Sequence, residues 1–131
     1  SVTSYKELRR DALEAERWNL LHPTEKQKVS YITKMLKHEE GVFVAASDYV
    51  KALPDSVSKW FPAPLTSLGT DGFGRSEGRK ELRDFFEVDA KHIVLATLNA
   101  LFKEGKIKQT VVEGAIKQLG INPDKLNPMN S

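Results

Sequence analysis

The chain of 131 residues has no cysteine. That excludes disulfides, iron–sulfur ligation and a cysteine nucleophile, and it suits a reducing compartment. No apolar run approaches the ~20 residues of a membrane span. The start, Ser1-Val2-Thr3-Ser4-Tyr5, lacks the basic-then-apolar pattern of a signal peptide. It also lacks an initiator methionine, so the chain reads as a fragment or a processed product. Charge of one sign is scarce: 20 Lys and Arg stand against 18 Asp and Glu, and a net +2 is too small to argue for nucleic acid. His22, His38 and His92 are far apart, and none sits at metal-ligand spacing. His38 reads as a helix-end histidine facing the dipole, and His92 as a satisfied core residue. The G-x-S-x-G nucleophile elbow, the Walker A lysine loop and the G-x-G-x-x-G dinucleotide fingerprint are all missing. No catalytic constellation is visible.

What the chain does have is Gly69-Thr70-Asp71-Gly72-Phe73-Gly74-Arg75-Ser76. An apolar run at residues 65–68 precedes it, and Leu82, Phe85 and Phe86 follow at helical spacing. It therefore reads as a strand-to-helix loop, the place where open α/β sheets hold ligands. Glycine there lets a ligand or another backbone come close, and Ser76 is placed to cap the next helix. Arg75, Arg79 and Arg83 recur every four residues, which puts Arg79 and Arg83 on one helix face. Cations at a helix start oppose its dipole unless an anion joins them. That anion would be a phosphate, a substrate carboxylate or a carboxylate of another subunit. The competing reading is a solvated arginine face balanced by Glu77, Glu81 and Asp84.

Along the chain, Ser4 and Glu7 form a capping box after a short β-prone start, and a helix is predicted over 6–19, ended by Leu21-His22-Pro23. Thr24 with Gln27 is a weaker box; Ser30 is the stronger start for a helix that stops at Gly41. The run 41–46 predicts a strand buried on both faces. Ser47 or Asp48 is expected to cap a helix bearing Val50, Leu53, Val57, Trp60 and Phe61, bent or split by Pro54. Trp18, Trp60 and Phe61 read as core or interface aromatics. A strand at 65–69 would pair in parallel with the first through a right-handed crossover. A helix over 77–86 follows, then a largely buried one over 90–104 capped by Asp89 and ended by Gly105. Thr110 and Glu113 box the last helix, Gly120 closes it, and 121–131 reads as an extended tail. The expectation is a single α/β domain over 1–131. Three short strands leave open edges, so further strands are expected from a segment preceding Ser1.

These segments resemble the C-terminal domain of the homodimeric bacterial type of pyruvate dehydrogenase first component. The residues that carry the resemblance begin with Ser1-Val2-Thr3-Ser4-Tyr5, Glu16-Arg17-Trp18-Asn19, Leu21-His22-Pro23 and Ala46-Ser47-Asp48-Tyr49. They continue with Leu68 to Ser76, Leu82-Arg83, Phe86-Glu87-Val88-Asp89, Asp124-Lys125 and Asn127-Pro128. Phe73-Gly74 with Ser76 is also similar to transketolase C-terminal domains. The resemblance implies an α/β three-layer sandwich, transketolase C-terminal-domain-like, with a mostly parallel mixed sheet and helices on both faces. It implies a cytoplasmic parent enzyme that uses thiamine diphosphate and Mg2+ to decarboxylate pyruvate and reductively acetylate lipoyl groups. Cofactor and metal would be held by preceding domains, with no catalytic residue and no bound metal in this one. Its partners would be those domains, a homodimer mate and the lipoyl-bearing acetyltransferase component, with no nucleic acid and no membrane. The matching loop residues are Thr70, Asp71, Gly72, Phe73, Gly74, Arg75 and Ser76, with Arg79 and Arg83 beyond, expected near the approach of the lipoyl arm. The rival expectations are that the loop only fixes itself and a dimer contact, or that the domain is a stand-alone module for an anionic ligand at the Arg75–Arg79 helix start.

Overall fold

The computed structural model describes residues 2–71 and 79–130, without the side chains of 79, 80 and 130. The first helix, α1, runs Tyr5–Leu21. Ser4 caps it, its Oγ accepting the Glu7 N–H at 3.2 Å. The Glu7 carboxylate does not return to Ser4 but pairs with Arg10 at 2.8 Å, so only half of the expected box forms. At the other end the His22 ring stacks on Trp18, 4.2 Å between centroids, and Pro23 follows. Thr24 starts no helix; α2 is Tyr31–Leu36, with Ser30 as its cap. It ends before Gly41, because Lys37 and His38 already turn away.

The segment between α1 and α2 is held by side chains. Asn19 presents both faces of its amide to Lys28: the Lys28 N–H donates to Asn19 Oδ1 at 2.7 Å, and Asn19 Nδ2 donates to the Lys28 carbonyl at 2.9 Å. Lys28 Nζ lies over the Trp18 ring. Asp11 accepts the Tyr31 N–H, satisfying an otherwise orphaned donor of the α2 first turn.

Strand β1 is Phe43–Ala46 and strand β2 is Leu65–Leu68; they pair in parallel with Phe43 opposite Leu65 and Ala46 opposite Leu68. A parallel pair needs a crossover. Here it consists of α3, Ala52–Asp55, and a 3-10 turn at Ser58–Trp60. Pro54 is buried in the short helix, and the expected split into two short pieces is what forms. The core lies between α1, α2 and this crossover: Ala12, Ile32 and Val57 are buried, with Tyr5, Leu8, Leu36, Trp60 and Phe61 packed on them. Phe43 meets Phe61 edge to face, joining sheet to core. Trp18 stays outside this cluster, between His22 and Lys28.

The rest is helical: α4 at Arg79–Phe85, α5 at Ala90–Lys103 and α6 at Gln109–Gln118. Asp89 caps α5 by accepting the His92 N–H. Gly105 and Gly120 follow α5 and α6 with φ of 73° and 68°, as expected of helix stops. Thr110 does not cap α6, because the helix starts one residue earlier at Gln109 and places Thr110 inside its first turn. Residues 121–130 carry two turns built on Asn122 and Asn127, and a 3-10 turn at Pro128–Asn130.

Two expectations about burial fail together. β1 is half-buried with Ala46 exposed, rather than buried on both faces. Helix α5 buries only His92 among its residues, while Val94 is 45% and Phe102 37% exposed. The sheet has two strands among the described residues, and residues 2–4 form none. A sheet this narrow cannot cover the apolar circumference of α5, which packs on β1, β2 and α6.

Candidate functional site

The carboxyl ends of both parallel strands open on the same place. After β1 come Ser47, Asp48 and Tyr49; after β2 come Gly69, Thr70 and Asp71. The two loops are stitched together. The Thr70 N–H donates to the Tyr49 carbonyl at 2.8 Å, and Thr70 Oγ1 donates to the Asp48 carbonyl at 2.9 Å. Asp71 Oδ1 accepts the Lys51 N–H at 2.9 Å. Lys51 is the N-cap of α3, so a carboxylate from the other loop satisfies its amide. This replaces the expected cap by Ser47 or Asp48. Ser47 instead accepts the Tyr49 N–H, and Asp48 faces Arg83.

Gly69 makes the stitching possible. A Cβ there would stand 2.6 Å from the Tyr49 carbonyl oxygen and 2.8 Å from the Lys51 nitrogen, both backbone atoms. No side chain fits such an approach.

A cleft of about 690 Å³ lies beside this junction, lined by Ser47, Asp48, Arg83, Val88, Asp89 and Ile93 among others. Arg83, on α4, reaches across to Asp48 with two donors, Nε at 3.3 Å and Nη2 at 3.1 Å. Asp48 accordingly raises the Arg83 guanidinium above its ordinary value. Both side chains remain substantially exposed, 42% and 68%, so the pair contributes more to orientation than to stability. The described part of the lining does not fit a diphosphate. Its one cation among the described residues already faces a carboxylate, and Asp89 adds a second negative group.

A second charged cluster sits behind the cleft at the α4–α5 corner. Asp84, Asp89 and His92 bring ligand-type atoms within 4.8 Å of one another. Lys91 Nζ lies 2.5 Å from Asp84 and 3.7 Å from Asp89, where a cation would go. The hydrogen bond from Lys91 holds the Asp84 carboxyl below its usual range, and the same bond raises Lys91. His92 Nδ1 is 2.6 Å from Asp89 Oδ1. The cluster reads as two carboxylates tied by one lysine beside a buried histidine.

Of the residues singled out in the sequence, the structure joins Thr70 and Asp71 to the loop after β1, and Arg83 to Asp48. Arg79 opens α4 one turn before Arg83. Gly72, Phe73, Gly74, Arg75 and Ser76 lie outside the described residues. Sequence reasoning missed Asp48 as the partner of Arg83, having assigned it a cap. It also missed Val88, Asp89 and Ile93 as the cleft wall. The usable signal was position alone: Asp48 stands just past a strand, as Asp71 does.

The model of the family described as transketolase-like TK C-terminal domain matches residues 1–89. The pyruvate dehydrogenase E1 component of Pseudomonas aeruginosa is 49% identical over 131 residues, covering 99% of this chain and 15% of that protein. The proteins of the same name from Haemophilus influenzae and Escherichia coli strain K12 are each 46% identical, covering 98% of this chain and 14% of their own length. The chain thus spans about one seventh of the length of the curated relatives it matches. Among the described residues, no helix is long and apolar enough to cross a membrane.

Proposed function

The chain belongs to the transketolase-like C-terminal domain family, and we propose that it is the C-terminal accessory and subunit-contact lobe of a thiamine-diphosphate-dependent pyruvate dehydrogenase. That enzyme decarboxylates pyruvate and passes the acetyl unit to lipoyl groups of an acetyltransferase component. Thiamine diphosphate and Mg2+ belong to other lobes of the parent, a homodimer working in the cytoplasm. This lobe alone performs no turnover. Its small parallel sheet is one part of a three-layer sandwich with a mixed sheet, the remaining strands coming from elsewhere in the parent.

One observation carries the reading. The chain exposes 9430 Å², whereas a compact monomer of its mass exposes about 6,900 Å². Part of that surplus is apolar surface that a neighbouring lobe would cover, which supports a packed lobe over a free-standing domain. That surface includes α5 residues that the sequence marks as interior.

The junction of the two strand ends is the part of the lobe that faces chemistry done elsewhere. Thr70 and Asp71 fix the start of the glycine loop. Arg83, with Arg79, Arg75 and residues 72–76, borders the path of the lipoyl arm. Arg83 is already held by Asp48, which favours this positioning role over a stand-alone anion site. The test uses the full-length polypeptide that contains this chain. It should oxidise pyruvate with a small artificial electron acceptor and acetylate lipoyl domains. The chain of 131 residues by itself should do neither and bind no thiamine diphosphate. Arg83→Ala in the full-length protein should raise KM for lipoyl domain about tenfold, a loss of ~1.4 kcal/mol, with the artificial-acceptor rate unchanged. Pyruvate turnover by the isolated chain, or tight nucleotide binding to it, would sink the proposal.

A further inference from the structure

The described part of helix α4, Arg79–Phe85, has seven residues, too few to hold itself together in water. Its end is also strained. Glu87 follows it with φ of 61°, a left-handed conformation normally left to glycine. The surrounding hydrogen bonds form a Schellman closure around this residue. The Val88 N–H donates to the Arg83 carbonyl and the Glu87 N–H to the Asp84 carbonyl. A non-glycine residue in that place needs outside support.

The support comes from the other end of the chain. Lys125 Nζ donates to the Asp84 carbonyl at 3.0 Å and to the Phe85 carbonyl at 2.8 Å. These are among the last carbonyls of α4, and a cation there complements the dipole. The same ammonium lies 3.9 Å from Glu87 and 5.3 Å from the centre of the Phe85 ring. Lys125 is aimed by a local turn in which Asn122 Oδ1 accepts the Asp124 N–H and the Asn122 carbonyl accepts the Lys125 N–H. Beyond it Pro128 is buried, so the segment is anchored on both sides of the lysine.

We infer that residues 121–129 are a strap over the end of α4, with Lys125 as the positioning residue that keeps this helix, and therefore Arg83, in register with Asp48. Hydrogen exchange on the full-length polypeptide tests it. In Lys125→Met the amides of residues 85–88 should exchange at least about tenfold faster, the scale of a lost charged hydrogen bond. Amides of α1 should keep their rates. Lys125→Arg, which keeps a cationic donor, should restore slow exchange. Unchanged exchange at 85–88 in Lys125→Met would overturn the strap. So would equal acceleration throughout the chain, or a Lys125→Arg protein as loose as Lys125→Met. The kinetic consequence rests on the proposed function: a loosened α4 should raise KM for lipoyl domain. A loosened α4 with unchanged KM would leave the strap standing and count against Arg83 bordering the lipoyl path.

Discussion

At the scale of single residues, Gly69 is the position on which the site depends. It lies where two loops touch backbone to backbone, closer than any Cβ allows. Gly69→Ala should therefore force the loops apart and cost about 1–3 kcal/mol, the range for overpacking. Chemical denaturation measures the loss, and a variant as stable as the parent would refute the close approach. The glycine was legible in the sequence as a place where another backbone could come near, but not which backbone. The identity of Tyr49 and Lys51 as its neighbours depends on the register of β1 against β2, which local pattern does not carry. Asp48 was misread for a related reason. An aspartate before an apolar helical stretch looks like a cap, and only the fold brings Arg83, 35 residues on, to face it. Asn19 and Trp18 show the same limit: both stood out by their motif, yet their shared partner Lys28 becomes visible only once the chain doubles back.

At the scale of elements, caps with a nearby side-chain acceptor were legible and caps supplied from afar were not. Ser4, Ser30 and Asp89 each accept the N–H three residues on, a contact that sequence spacing encodes directly. The start of α3 is satisfied by Asp71, which spacing cannot reveal. The corner between α4 and α5 gives a prediction in pH. Lys91 holds Asp84 below the ordinary carboxylate value of about 4. A lowered folded-state value stabilises the native state above that pH and ceases to do so as pH falls through the depressed value. Lys91, raised by Asp84, stabilises below its ordinary value of about 10.5 and ceases to do so as pH climbs through the elevated one. Relative to Asp84→Asn, the parent should thus be more stable between these limits, and the difference should shrink below about pH 4. Urea midpoints of both proteins across pH 2–8 provide the check. A difference that persisted unchanged to pH 2 would contradict the assignment.

At the scale of the whole molecule, apolar periodicity located each α-helix among the described residues, the split pair around Pro54 included, yet it overestimated how much α5 hides. It reports which faces avoid water, not which neighbour covers them. Helix α5 reads as interior, but Val94 and Phe102 are exposed and its other large apolar residues are only half-buried. With six buried apolar residues among the described ones, the 131-residue chain should unfold in urea with a shallow dependence, near ~1 kcal/mol/M, the low end for small proteins. A slope of twice that would mean more surface is withdrawn from solvent than the fold accounts for.

The parallel pairing of β1 and β2 also sets an order of assembly. Phe43 cannot meet Leu65 until the crossover between them has shortened the chain. The local turns of α1 and α2 need no such closure and can form earlier. During synthesis helices α1 and α2 would then wait, with part of their apolar surface uncovered, until the crossover through Phe61 has left the ribosome. That interval is when a nascent chain of this design most needs a chaperone.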